Sequence, residues 1–512
     1  MNIAYAVKIF VALAIVLFAM RLIAGRGLRL VMTNQDWEAG WIVIAGTLVV
    51  SCFSWRVPLF FLVFSAWTMY VPRLFGKSSE GRLPAYALIA CISPQFSFEL
   101  ENIGPLKDVL GLSPLRILEM FILLPEALRL LTRRERPQTP SWLRLCDLAT
   151  LGYFIYWTLR LYGNAPVSTV AREMVQGALD TVLPYYVLSR ACVPHQMRRR
   201  VMSMVLFGAV YQGFVGLAES LSRHFLYAQL QYLYDARWGL AEGLTRGSLI
   251  RAQAAFGGPL ILAVLLLFGI GLWFALKPTI KSRPYAVVGG VLFAGLLATL
   301  SRGPILAMLV LVIGVALLRF VTARKFLLLS LVIAIALTVS WNLGLGDSVV
   351  ALISSVSGDD KTADFNVTYR QQLLTMSLAL IQQAPWWGVP NYIQQMESLR
   401  QGEGIIDLVN TYLVVTLNVG VFGLALFLLP FVLTLWRQAS SIPAEPAEAR
   451  RESLVWLPLT LAVMAAVFTV SPVSIIGPIL VWTVALALAR LQEGLPLRPR
   501  LGATLPAPAR AG

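Results

Sequence analysis

Apolar runs of about 16–20 residues recur along almost the whole chain, separated by short connections rich in basic, Gly or Pro residues. Each run is close to the length that crosses ~30 Å of hydrocarbon as a helix. The pattern predicts spans at 3–22, 40–55, 57–72, 84–97, 114–131, 145–162, 174–189, 201–218, 255–276, 285–300, 303–318, 326–341, 411–436, 454–470 and 473–490. The runs at 84–97 and 174–189 are short enough to be re-entrant or interfacial. The expected fold is therefore an all-α polytopic membrane protein with about 13–15 transmembrane helices.

Two connections are too long to be simple turns: 219–254 and 342–409. Connections longer than ~12–15 residues are commonly functional loops or small subdomains. The chain thus divides into N-terminal spans 1–218, a first long loop 219–254, spans 255–341, a second long loop 342–409, C-terminal spans 410–490 and a Pro/Ala-rich tail 491–512 expected to be disordered. Within the second loop, "NVTYRQQLLTMSLALIQQAPWWGVPNY" reads as an amphipathic helix with Leu373, Leu374, Leu378 and Ile381 on one face. It is expected to end at Pro385, and to lie on the membrane surface or cap a groove.

Composition removes the soluble classes. Of 512 residues, 58% are hydrophobic and 13% charged, with mean hydropathy +0.72; soluble domains carry about 25% charged residues. The net charge of +16 could point to nucleic acid, but its distribution points to topology. Alternate connections hold 28 basic residues against 10 carboxylates, and the intervening ones 13 against 15. The positive-inside rule makes the first set cytoplasmic and both long loops external. The apolar N-terminus is followed by Arg21, Arg26 and Arg29 without a small-residue cleavage site, and is read as a first span. Four cysteines in or beside apolar runs and two distant histidines, His195 and His224, show no metal-ligand spacing.

One arginine resists this picture. In "TLSRGPILAMLV", Arg302 sits inside an almost unbroken apolar stretch, where a central arginine costs at least ~2.5–3.5 kcal/mol. A helix from Tyr285 to Leu318 would also be about 51 Å long, too long for one crossing. A tight hairpin at "SRGP" resolves both problems. Ser301 then suits an N-cap, Pro304 falls in the first turn, and Arg302 moves to the rim. A helix start there favours an anion, and the guanidinium fork suits phosphate oxygens. An arginine binding ordinary lipid headgroups is the competing reading. Arg251, before the helix expected near Gly257–Pro259, and Arg370, in the second loop, repeat the arrangement.

On these segments the chain resembles the O-antigen ligase and polysaccharide polymerase family of bacterial membrane glycosyltransferases. The residues are "SRGPILAMLV", "RAQAAFGGPLILA", "YRQQLLTMSLALIQQAPWWGVP" and "DLVNTYLVVTLNVGVFGLALFLL", covering mainly 250–435. The resemblance implies a GT-C-like membrane fold and a glycan carried on undecaprenyl diphosphate, transferred without metal, nucleotide sugar or other cofactor. By the resemblance, Arg251, Arg302 and Arg370 hold the diphosphate, with Ser301 and Asn410 supporting. It also implies an inner-membrane location with periplasmic long loops and a cytoplasmic C-terminus. Membrane lipids, a chain-length regulator and export proteins are the implied partners, and nucleic acid is not.

One position departs from the family. Many members carry a histidine just before the asparagine of "DLVNTYL"; here it is Val409. A general base would then be a carboxylate, with Asp407 and Glu403 nearest, unless both are merely solvated loop charges and Asn410 merely a helix cap. The missing histidine tilts the reading from ligase toward polymerase. A lipid-linked saccharide flippase or transporter is the alternative from another class, although Glu119 and Arg160 are few ionisable groups for a pathway.

Overall fold

The computed structural model describes residues 3–499 apart from 55, 97, 100–110, 133–134, 138–139, 163–165, 228–229, 231–244, 247–248, 279–281, 319, 331–359, 401–405, 407, 409, 443–446, 473 and 494–496. Helices dominate it, as they must where no water is at hand to satisfy backbone N–H and C=O groups. In chain order they are α1 (Ile3–Ile23), α2 (Asn34–Phe53), α3 (Val57–Tyr70) and α4 (Ser78–Ile92). α5 runs through Pro114–Leu118 and Leu124–Thr132 with a π turn at Glu119–Leu123 between them. After α6 (Ser141–Tyr162), α7 repeats that design: Val167–Gly177, a π turn at Ala178–Val182, then Leu183–Ala191. There follow α8 (His195–Ser222), α9 (Pro259–Ala275), α10 (Arg283–Ala298), α11 (Arg302–Leu317) and α12 (Asp360–Gln383). The last three are α13 (Thr411–Ser441), α14 (Ala447–Val467) and α15 (Ile476–Leu491).

Every expected span coincides with one of these helices except 326–341, which is described only as far as residue 330 and is helical there. Among the described residues, five helices are long and apolar enough to cross a membrane by themselves, and five shorter ones are also apolar. This is an all-α, multi-pass membrane protein. The helices that fall outside both sets include α5, α6 and α7, which carry Arg116, Glu119, Asp147, Arg160, Glu173 and Asp180.

The centre of the bundle is α8. It is buried on every side from Val201 to Gly216, as an all-round apolar helix must be, and packs against α1, α4, α9 and α10. Close approach depends on small residues: a Cβ on Gly295 would lie 2.9 Å from the Cα of Gly213.

One end of the bundle is stapled by ion pairs. Fully buried Arg198, near the start of α8, reaches Glu452 of α14 at 2.9 Å and Glu493 just after α15 at 2.7 Å. Arg190 pairs with Asp147, and Arg200 with buried Asp36. These arginines belong to the basic set that signals topology, so part of that charge is also committed to packing. At the same end, Leu497–Pro499 pairs antiparallel with Glu135–Pro137. The tail is thus not disordered throughout, because a neighbouring extended segment supplies backbone partners; residues 500–512 lie outside the described residues.

Removing one partner of a buried ion pair leaves an uncompensated charge, which costs about 3–5 kcal/mol. Arg198→Ala is expected to lower the melting temperature of the purified protein in detergent clearly. An unchanged melting curve would show that the staple does not hold this end.

Candidate functional site

At the opposite end, the hairpin forms where the apolar run had to break. α10 ends at Ala298, Leu300 takes a left-handed φ of 50°, and α11 starts at Arg302. Thr299 and Ser301 are buried while Arg302 is exposed. Ser301 occupies the N-cap position with extended dihedrals, but its hydroxyl makes no capping bond. It donates to the Thr299 carbonyl at 3.2 Å and accepts from Arg251 Nη2 at 3.4 Å. The expected serine cap is therefore corrected: Arg251 and Thr299 use the hydroxyl, so Ser301 does not cap the first-turn amides of α11. Arg251 Nε also donates to the Thr299 carbonyl at 3.4 Å, and the Ala252 amide to Ala298 at 3.1 Å. The structure thus brings Arg251, Ser301 and the start of the Arg302 helix together.

A residue that sequence reasoning passed over shapes the Arg251 segment. Glu219, at the end of α8, is fully buried. Its carboxylate accepts the amides of Leu226 at 2.9 Å, Gln253 at 3.0 Å and Ala254 at 2.9 Å. It thereby pins both ends of the first long loop to one point. The signal was available as a lone carboxylate ending an apolar helix, but its partners are backbone groups that no residue pattern marks.

The second loop is built on α12, which carries Arg370; the side chain of Arg370 lies outside the described residues, as do Asp407 and Glu403. The helix ends at Gln383, close to the expected stop at Pro385. Its inner face is rotated from expectation: Tyr369, Leu373, Ser377 and Leu380 are buried, while Leu378 is 48% exposed. Ser377 can sit inward because its hydroxyl bonds the Leu373 carbonyl at 2.6 Å, which hides the polar group from the pattern. This face packs on Tyr392, Met396, Leu408 and Leu417, so the helix covers the start of α13.

The "PWWG" turn then docks into a break in α13. Gly388 and Gly420 both have left-handed φ, 76° and 67°. A Cβ on Gly388 would meet the Gly420 nitrogen at 2.6 Å, so only glycine allows this backbone contact. The Val421 amide donates to Pro385 O at 2.8 Å, and Arg160 Nη2 to Gly388 O at 3.1 Å. Arg160 is therefore an anchor for the loop. Asn410 caps α13 through the amides of Tyr412 and Leu413, at 2.9 and 3.2 Å.

Beside these segments lies a cavity of about 760 Å³. Phe256 and Gly257, just before α9, and Thr411, at the start of α13, form part of its wall. Much of the remainder comes from α5, α6 and α7.

Residues 287–428 match the family model described as O-antigen ligase, Wzy_C. This match supports placing the chain with the O-antigen ligase and polymerase family. No curated protein matches it.

Members of the O-antigen ligase family are glycosyltransferase-like enzymes. The matched segment begins in α10 and ends in α13, and so takes in Ser301, Arg302, Arg370, Glu403, Asp407 and Asn410. Arg251, Glu219 and the α5–α7 wall of the cavity lie outside it. The cavity is therefore lined from both the matched segment and the first half of the chain.

An unpaired buried amide costs about 1–3 kcal/mol, and Glu219→Ala would take their acceptor from the buried amides of Gln253 and Ala254. Hydrogen exchange at residues 252–256 is expected to accelerate markedly in this variant while the middle of α8 stays protected. Equal protection in both proteins would mean that the Arg251 segment is held by other contacts.

Proposed function

We propose that this protein is a polysaccharide polymerase. It transfers a glycan from undecaprenyl diphosphate onto a growing chain at the outer face of the bacterial inner membrane. The observation that carries this reading is the junction inside the family segment. Arg302 stands exposed at a helix start with no side-chain cap, and Arg251 is tied to the adjacent Ser301. Backbone amides and two guanidinium groups there offer what a leaving diphosphate requires, stabilisation of charge that develops as its bond to the sugar breaks. Arg370, on the helix that covers this end, is the third proposed contact. No metal is needed in this scheme, because the guanidinium groups meet the charge.

In the proposed step, an acceptor hydroxyl attacks the anomeric carbon, the diphosphate departs with the bonding pair, and the hydroxyl proton passes to a carboxylate. Asp407 is the first choice for that base and Glu403 the second. The positive-inside count supports placing 219–254 and 342–409 outside and the ion-paired end in the cytoplasm. Val409, where many family ligases carry histidine, favours polymerase over ligase.

The deciding experiment incubates the purified protein in lipid with an undecaprenyl-diphosphate-linked oligosaccharide. A ladder of longer lipid-linked products supports the polymerase. Transfer to lipid A–core would replace it with a ligase, and leaflet exchange without new bonds with a flippase. Arg302→Ala is expected to insert normally yet lose about 10²–10³-fold in rate, the usual cost of removing one charge-stabilising donor. Asp407→Asn should lose activity with donor binding retained; full activity in that variant would move the base elsewhere.

A further inference from the structure

We propose that the polar pole of the cavity, formed by Arg116, Glu173, Gln176 and Asp180, is a saccharide-binding site that reads the glycan. The inference rests on the transferase reading for the origin of that glycan. It goes beyond it by assigning recognition to the half of the chain outside the family segment.

Three observations support the assignment. The first is charge balance. Arg116 pairs with Asp180 in a two-point contact, 3.1 Å from Nε and 2.9 Å from Nη2, and Arg172 lies 4.0 Å from Glu173. Both lining carboxylates have a cation beside them, so the pole is not an isolated patch of one charge. Glu119, buried at the neighbouring π turn, does not line the cavity. The groups still offer hydrogen bonds: Asp180 remains 31% and Glu173 37% exposed, and carboxylates accept at several positions while the Gln176 amide both donates and accepts. A neutral ligand dense in hydroxyl groups satisfies that combination.

The second is placement. Glu173, Gln176 and Asp180 follow one another at helical spacing on α7, all lining the cavity. A Cβ on Gly111 would lie 3.1 Å from Gln176 Nε2 and 3.2 Å from Arg116 Nη1, so the amide and the guanidinium flank one small residue. The third is the facing wall. Tyr153 and Trp157, one turn apart on α6, line the same space, and flat apolar rings suit the C–H faces of sugars. A volume of about 760 Å³, lined by both polar and apolar side chains, falls within the range of small-ligand sites. Charged side chains kept within such helices commonly mark a substrate path.

The test uses the full-length protein in lipid nanodiscs and three probes: bare undecaprenyl diphosphate, its oligosaccharide-linked form and the free oligosaccharide. Glu173→Gln combined with Gln176→Ala should weaken binding of the glycan-bearing lipid by about tenfold, a loss of ~1.4 kcal/mol. Binding of the bare carrier should stay unchanged. Unaltered glycan-lipid binding would overturn the proposal, and so would an equal loss for the bare carrier, since the pole would then serve the lipid or only the fold. Competition by the free oligosaccharide would assign the pole to a glycan arriving without its carrier. Its failure to compete, with the selective loss present, would assign the pole to the carrier-linked glycan. The diphosphate reading fails separately, if Arg302→Ala leaves bare-carrier affinity intact.

Discussion

A continuous apolar helix through Tyr285–Leu318 would be about 51 Å long and would bury an arginine in hydrocarbon. The break at Thr299–Ser301 removes both difficulties, and the rest of that end depends on it. A turn this tight leaves the Thr299 carbonyl and the Ser301 hydroxyl without helical partners. Arg251 bonds both, and the neighbouring Ala252 amide donates to the Ala298 carbonyl. The repair ties a segment some fifty positions upstream onto the hairpin. Glu219 then fixes the same segment to the end of the central helix. Solving one packing problem thus gathers an arginine, an uncapped helix start and a second arginine at one place.

The two ends of the bundle answer the same physical demand in opposite ways. At the Arg198 end, guanidinium groups are matched by carboxylates from distant parts of the chain. Such matched pairs leave little for a ligand. At the Arg302 end, contacts run mainly from side chains to backbone, through Glu219, Asn410 and Arg160. These set the course of loops and leave Arg302 facing out. Regions held by fewer cross-helix pairs open more readily than a stapled core, which suits the glycan transfer proposed for that end.

The helices were legible because lipid allows few alternatives: apolar period and length suffice, and even the split at Arg302 follows from length and charge. What escaped was set by contacts distant in sequence. The Ser301 hydroxyl looked like a cap until Arg251 claimed it. The inner face of α12 was misread because Ser377 hides its polarity in a bond to its own helix. Gly388 and Gly420 are distant in sequence, and only their contact explains both. Arg116 and Asp180, sixty-four positions apart, gave no local sign of meeting. Asp407, Glu403 and the Arg370 side chain fall outside the described residues.

The distribution of charge among the helices follows from the same logic. α9, α10 and α11 carry no charged residue in their interiors, so they can be buried or face lipid without further provision. α5, α6 and α7 carry several, and an ionised group within such a bundle persists only where it is paired or wetted. The cavity provides the second condition along one face of α7. A purely structural wall would do better with apolar residues, because replacing a buried ion pair by well-packed hydrophobic side chains is often neutral or stabilising. Keeping Arg116 and Asp180 beside open volume is therefore hard to explain by packing alone. It is explained if the first half supplies a polar wall that meets the ligand while the family segment supplies the reacting end.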